Sequence, residues 1–252
     1  MVDLSGEMVM VTGASRGLGR ALAEAYGDAG ASLVLCARGA DLYGVAESLR
    51  GRGVRTIAAT LDVTDAAAVS RLVSEAEAVA PVSVLVNNAS MLGARDGLGD
   101  LSLDEWRRVL DINVTGALIA TKAVMPGMRT AGRGSIINVT SGVGDVPRAR
   151  WGAYGVSKWA LEALTYNLAL EEKEAGIRVN AVDPGAMRTA MRRAAYPQED
   201  PDSLPAPEQV TGVFLWLASR ASNATGERFR AQEWRQDGAA DVPLDHQPGG
   251  AG

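Results

Sequence analysis

The chain has 252 residues, 47% of them hydrophobic and 22% charged, which is enough apolar material for one α/β core of ordinary size. With 25 basic and 30 acidic residues, a formal net charge of −5 and no basic cluster, it is not built to neutralise a row of phosphates, so nucleic acid is excluded as the main expected partner. One cysteine and one histidine exclude an intramolecular disulfide, His-based triads and most zinc sites; with no uninterrupted apolar run near the ~18 residues that span a bilayer and an acidic start lacking the parts of a secretory signal, a cytoplasmic protein without membrane or metal is expected.

Short runs rich in Val, Ile and Leu at residues 8 to 11, 32 to 36, 55 to 61, 82 to 86, 135 to 139 and 177 to 182 alternate with longer Ala-rich segments. This predicts βαβ repeats and a Rossmann-type doubly wound parallel sheet in one domain, residues 1 to 234, with ligands at the carboxyl ends of the strands. The first run leads into Thr12-Gly13-Ala14-Ser15-Arg16-Gly17-Leu18-Gly19 and a helical pattern from Arg20. Glycines between a strand and a helix let bare backbone approach a pyrophosphate, whose charge suits the free N–H groups there. The second run ends at Cys36, read as a small buried residue, then Ala37-Arg38, with no acid before Asp41 to hold a ribose 2′-hydroxyl. Arg38 and Arg16 suit a 2′-phosphate instead, so NADP(H) is expected over NAD(H).

Further along, Asp65 caps a helix over residues 66 to 80, and Ser102 with Glu105 forms a capping-box pattern for the next. That helix carries Asn113, an amide among apolar residues that needs a buried partner, a water among the candidates. The fifth run ends at Thr140-Ser141, where a hydroxyl can polarise a substrate oxygen. Tyr154 and Lys158 share a helix face four residues apart; a nearby ammonium favours phenolate and brings a phenol of pKa near ~10 toward acid–base use. Residues 187 to 207, with several prolines, predict a lid rather than one long helix. The stretch from residue 235 to 252 is polar and reads as a flexible tail.

Together Thr12 to Gly19, Asn87-Asn88-Ala89, Asn113, Ser141, Tyr154 with Lys158, and Pro184-Gly185 followed by Thr189 resemble the classical branch of the short-chain dehydrogenase/reductase family, over roughly residues 5 to 230, and in particular a bacterial subgroup of mostly unassigned substrates. The resemblance implies an oxidoreductase interconverting a carbonyl and an alcohol by hydride transfer. Tyr154 would be the acid or base, Lys158 would lower its pKa and hold the nicotinamide ribose, Ser141 would orient the reacting oxygen and Asn113 would fix a relay water. Gly13, Ser15, Arg16, Gly17, Leu18, Gly19 and Arg38 would bind the cofactor phosphates, Asp62-Val63 the adenine, and Asn88-Ala89 the cleft wall. Pro184, Gly185 and Thr189 would grip the nicotinamide end, while Asn87 braces strands.

Two departures stand out: Ser90 where the family has glycine, and Thr225 to Ala231 in place of the closing strand, which puts the standard tetramer interface in doubt. Met91, Leu92, Val143, Trp151, Met187 and Met191 are candidate pocket residues, and Arg188, Arg192 and Arg193 suggest an anionic substrate group, solvated lid charges being the blander reading. Helices over residues 103 to 128 and 153 to 172 resemble those that pair in the family, implying a homodimer or homotetramer. A catalytically idle NADP-binding redox sensor is the alternative function.

Overall fold

The computed structural model describes residues 2–235. The sequence-predicted tail beyond residue 235, with His246, lies outside the described residues. Six strands form where the apolar runs predict them, within two residues at each end: β1 (Met8–Thr12), β2 (Ser32–Ala37), β3 (Thr56–Thr60), β4 (Val84–Asn87), β5 (Gly134–Val139) and β6 (Ile177–Asp183). A seventh, β7 (Arg228–Arg230), occupies the segment where the closing strand was in doubt. All pairings are parallel, in the order β3-β2-β1-β4-β5-β6-β7.

Helices cover both faces, which is why the strand runs are apolar throughout rather than alternating with polar residues. Val9, Val11, Leu33, Leu35, Val84 and Val86 point into one core with Leu22 and Tyr26 of α1 (Gly17–Asp28), Leu42 and Leu49 of α2 (Asp41–Gly51) and Phe214 of α8 (Gly212–Ala218). Met8, Met10, Val34, Cys36, Leu85 and Ile136 point the other way, onto α3 (Ala66–Glu77) and α5 (Gly116–Ala131). Cys36 is fully buried, and desolvation pushes its thiol up to about 12, as its reading as a core residue requires.

The caps form with one change of partner. Asp65 accepts from the Ala68 N–H at 2.9 Å, and Ser102 from the Glu105 N–H at 3.2 Å. The Glu105 carboxylate does not close the capping box; it accepts from the Ala94 N–H at 3.1 Å, tying the loop after β4 to α4 (Leu103–Leu110). From Leu103 to Ala131 the backbone is one helix of 29 residues, long and apolar enough to cross a bilayer by composition although no uninterrupted run suggested it. Half of its apolar window is buried in the fold, with α5 packed on α3, β4 and β5. A π-helical turn, Asp111–Thr115, interrupts it and carries Asn113.

Strand order reverses between β1 and β4, so the loops leaving their carboxyl ends diverge and open a cleft there. Those loops are Gly13 to Arg16 and Asn88 onward.

Candidate active site

The floor of the cleft is bare backbone. Gly13 has φ +70°, and a side-chain carbon on it would meet the Ala89 Cα at 2.9 Å; on Gly19 it would meet the Gly13 carbonyl oxygen at 2.3 Å. The amide of Asn88 locks this arrangement by donating to the carbonyls of Thr12 (2.8 Å) and Gly13 (3.2 Å), while the Thr12 hydroxyl accepts from the N–H groups of Asn88 and Ala89, each at 3.0 Å. Asn88 thus braces the glycine loop, and the cleft wall it contributes is mainly backbone. No side chain caps α1 at Arg16, so the N–H groups of its first turn remain for an anion. Leu18 has its side chain in the core and can contribute through its backbone; Ser15 is half-buried and Arg16 exposed.

At the far end, Arg38, Arg107 and Arg108 line a cavity of about 330 Å³ together with Asp62, Asp104 and Asp111, Thr64 and Ile112, Arg107 being paired with Asp104. Hydrogen bonds from the Thr64 N–H (3.0 Å) and hydroxyl (2.8 Å) hold the Asp62 carboxyl below its ordinary range, with a smaller contribution from Arg38 and Arg108. Arg108 was not anticipated: it adds a second guanidinium to the side where Arg38 stands. Val63 is buried and packs against Gly116 of α5.

The chemical end of the cleft gathers at the carboxyl ends of β5 and β6. Tyr154, near the start of α6 (Gly152–Glu171), is buried, with Ser141 acting on its phenol. Burial pushes Tyr154 up to about 12, Ser141 opposing and Asp183 adding to the rise; the phenol is raised, opposite to the lowering expected from Lys158. Lys158 lies with Nζ 5.4 Å from the Tyr154 ring centroid and donates to the Val139 carbonyl at 2.7 Å. Burial brings it down to about 8, against the pull of Glu162 and Asp183.

Asn113 is buried; its side-chain oxygen accepts from the Met91 N–H (2.7 Å), and its amide donates to the Met91 carbonyl (3.0 Å) and the Ser157 hydroxyl (2.9 Å). These bonds supply the buried partner its position called for and clamp the loop after β4 to α6. Asn87 donates to Asn138 (2.9 Å) and Thr121 (3.2 Å), bracing β4 to β5 and α5.

Asp183 accepts from the Gly185 N–H at 2.9 Å, fixing the Pro184-Gly185 turn, and Thr189 approaches Gly17 across the cleft while capping α7 (Ala190–Ala195). The segment 187 to 207 is indeed broken, into α7 and two 3-10 turns. Met91, Leu92, Val143, Trp151 and Met191 cluster with Tyr154, but Met187 belongs to the main core under β1 and β4. Arg192 pairs with both oxygens of Glu199 at 2.6 Å, and Arg188 with Asp202 at 2.9 Å, so the segment's own acids take two of the three arginines proposed for an anionic substrate.

Two further features escaped the sequence reading. Arg95 stacks between Trp151 (4.5 Å) and Tyr196 (4.8 Å) and donates to the Ala195 carbonyl, joining the β4 loop to the end of α7 beside Tyr154, whose ring lies 5.6 Å from Trp151. Arg228 of β7 is buried among Glu162, Asp183 and Asp145. For Arg95 the only signal was an arginine among small residues; for Arg228, the Arg-Phe-Arg alternation of a short strand.

A parallel sheet of this order, with a glycine loop at the crossover and a Ser, Tyr and Lys converging at the next strand ends, defines a dinucleotide-dependent dehydrogenase. The chain belongs to the short-chain dehydrogenase family, whose model matches residues 7–200. It is 33% identical over 241 residues to the uncharacterized oxidoreductase YciK of Escherichia coli K12, covering 93% of this chain and 95% of that one. A solved short chain dehydrogenase from Pseudomonas syringae superposes with a TM-score of 0.87 at 37% identity over 91% of this chain and 96% of that one. Another, from Escherichia coli CFT073 and complexed with NADPH, gives 0.86 at 33% identity over 91% and 98%.

Proposed function

We propose that the protein is an NADP(H)-dependent oxidoreductase that interconverts a ketone or aldehyde and an alcohol, with Tyr154 as the proton donor and acceptor. The convergence of Tyr154, Ser141 and Lys158 beside the glycine-walled cleft carries the reading. The cleft suits the dinucleotide: Gly13 and Gly19 stand where any side chain would collide with backbone, and the Ser90 hydroxyl is buried without a hydrogen-bond partner among the described residues. Arg38 and Arg108 supply cations at the end where a 2′-phosphate would lie, and β2 ends without an acid. Its solved relative from Escherichia coli CFT073, complexed with NADPH, agrees with this choice.

NADP(H) supplies or accepts the hydride when bound. Tyr154, kept protonated by burial, donates its proton to the carbonyl oxygen during reduction and takes it back during oxidation. Ser141 orients that oxygen and stabilises the charge that develops on it. Lys158, once protonated, favours the phenolate left behind, and its bond to Val139 keeps Nζ beside the Tyr154 ring. Val143, Trp151, Met91 and Met191 give the substrate an apolar wall. We further infer a homodimer or larger homo-oligomer, supported by Leu118 of α5 and Trp159, Tyr166 and Leu170 of α6, all exposed. The complete Ser141, Tyr154 and Lys158 set disfavours an idle nucleotide sensor.

The test is NADPH oxidation against a panel of ketones and aldehydes with wild type and Tyr154→Phe. Turnover should fall by roughly 10²–10⁴ in Tyr154→Phe while NADPH affinity holds. Tight NADPH binding without turnover on any carbonyl or alcohol would favour the sensor; a fully active Tyr154→Phe would remove the proton assignment.

A further inference from the structure

Arg228 lies behind the site, touches three of the segments that build it, and has no place in the chemistry described so far. Its side chain is 4% exposed. The guanidinium donates to the carbonyl oxygen of Ser141 at 3.2 Å, to the Asp183 carboxylate at 3.2 Å and to Glu162 at 2.9 Å, with Asp145 at 3.5 Å. Each partner leads to a working part. Ser141 carries the hydroxyl that acts on the Tyr154 phenol. Asp183 holds the Gly185 N–H with its other oxygen, and its carboxylate packs 3.4 Å from where a side chain on Gly142 would begin. Glu162 stands one turn beyond Lys158 on the same face of α6.

We propose that Arg228 is a positioning residue of the reaction: its buried guanidinium bolts the Ser141 backbone, the Asp183–Gly185 turn and α6 together and neutralises the carboxylates behind Lys158. A buried cation with a fan of donors fits this task, because a guanidinium can bond several oxygens in fixed directions and stays charged. Burial opposes its charge, and Glu162, Asp183 and Asp145 outweigh that opposition. Without Arg228, Glu162 and Asp183 would act on Lys158 unbalanced, and both favour its ammonium form.

The ionisable groups around Lys158 come from four elements. Tyr154 and Glu162 lie on α6, Asp183 ends β6, Arg228 comes from β7, and Asp145 follows the 3-10 turn after Ser141, where Arg230 also pairs with it at 3.3 Å. Tyr166 of α6 completes the group through Glu162. Of these, Arg228 alone is both buried and cationic besides Lys158 itself.

The inference rests on Tyr154 and Lys158 being the proton site, and its test is separable from that reading. The chain has only three lysines, Lys122, Lys158 and Lys173, so in protein carrying carbon-13 lysine the side-chain NMR signal of Lys158 is assigned by substitution and its titration near 8 is followed without cofactor or substrate. Arg228→Gln should move that midpoint up by about one pH unit or more and lower kcat for carbonyl reduction by roughly tenfold or more. Arg228→Lys should recover part of both. Glu162→Gln should move the midpoint down, and Arg228→Gln with Glu162→Gln should bring it back toward wild type. A midpoint unmoved by Arg228→Gln would overturn the role. If Arg228→Gln does not fold, the double variant decides against Glu162→Gln alone, a higher midpoint in the double variant supporting the assignment and an equal one refuting it. A fully active Tyr154→Phe removes the proton site itself, whereas an unmoved Lys158 removes only the role of Arg228.

Discussion

Two glycine-to-alanine substitutions, both in helices, should change stability in opposite directions. Gly19 is in the first turn of α1, and a methyl group there would lie 2.3 Å from the Gly13 carbonyl oxygen and 2.5 Å from the Asn88 amide nitrogen. Neither can yield freely: Gly13 donates from its N–H to the Cys36 carbonyl at 2.8 Å, and Asn88 is held by Thr12. The overlap should cost about 1–3 kcal/mol in displaced backbone, against at most ~1 kcal/mol of gained helix propensity. Gly44, in α2, has nothing within 4 Å of the same position, so Gly44→Ala should gain up to about 1 kcal/mol. In a domain of this size each kcal/mol corresponds to a Tm change of roughly 2–4 °C. Gly44→Ala should therefore melt a few degrees higher with NADPH affinity unchanged. Gly19→Ala should melt lower and bind NADPH at least about tenfold more weakly, since the displaced carbonyl borders the surface offered to the pyrophosphate. Differential scanning fluorimetry with an NADPH fluorescence titration reads both. A Gly19→Ala protein with wild-type Tm and affinity would show that the backbone there does not serve the cofactor.

Other outcomes follow from single side chains. Arg38→Asp should lower kcat/KM with NADPH relative to NADH by roughly tenfold or more, and an unchanged ratio would remove Arg38 from 2′-phosphate recognition. Lys158 has its pKa depressed from 10.5 to about 8, so between those values the unfolded chain binds more protons there than the folded one and this group's contribution to stability rises with pH. The Tm difference between wild type and Lys158→Met should accordingly shift in favour of wild type from pH 8 to 10, and a constant difference would contradict the depressed value. Tyr154, raised to about 12, keeps its proton through neutral pH, so alcohol oxidation should quicken with rising pH while reduction holds its rate; opposite slopes would place the acid elsewhere. Asn138→Ala should cost about 1–3 kcal/mol, by removing one of the two acceptors of the Asn87 amide and the donor to the Thr165 hydroxyl, which keep Thr121 and the Leu161 carbonyl as partners, with little change in kcat; urea unfolding and kinetics check both halves.

The sheet was legible because strands covered on both faces leave continuous apolar runs, and six such runs fall within two residues of β1 to β6. The seventh was not, because Arg228-Phe229-Arg230 buries one aromatic between two arginines and relies on pairing with β6 for its extended form. The glycine loop, Ser141, Tyr154 and Lys158 were readable for a local reason: each depends on a backbone turn or an interval of four residues. What joins the site is not local. Asn113 is 44 residues from Ser157, Arg95 is 100 from Ala195 and Arg228 is 87 from Ser141.

The same separation governs the site's electrostatics. Sequence spacing put an ammonium beside a phenol and so predicted a lowered Tyr154, yet burial acts on both groups at once, raising the phenol and weakening the ammonium that was to lower it. The spacing shows which groups meet; how strongly each is charged depends on the carboxylates and the guanidinium that β6 and β7 bring up behind them. Lys158 therefore acts as one member of a buried set in which Glu162 and Asp183 favour its proton and Arg228 moderates them, so the acid strength at Tyr154 is set partly from the far edge of the sheet.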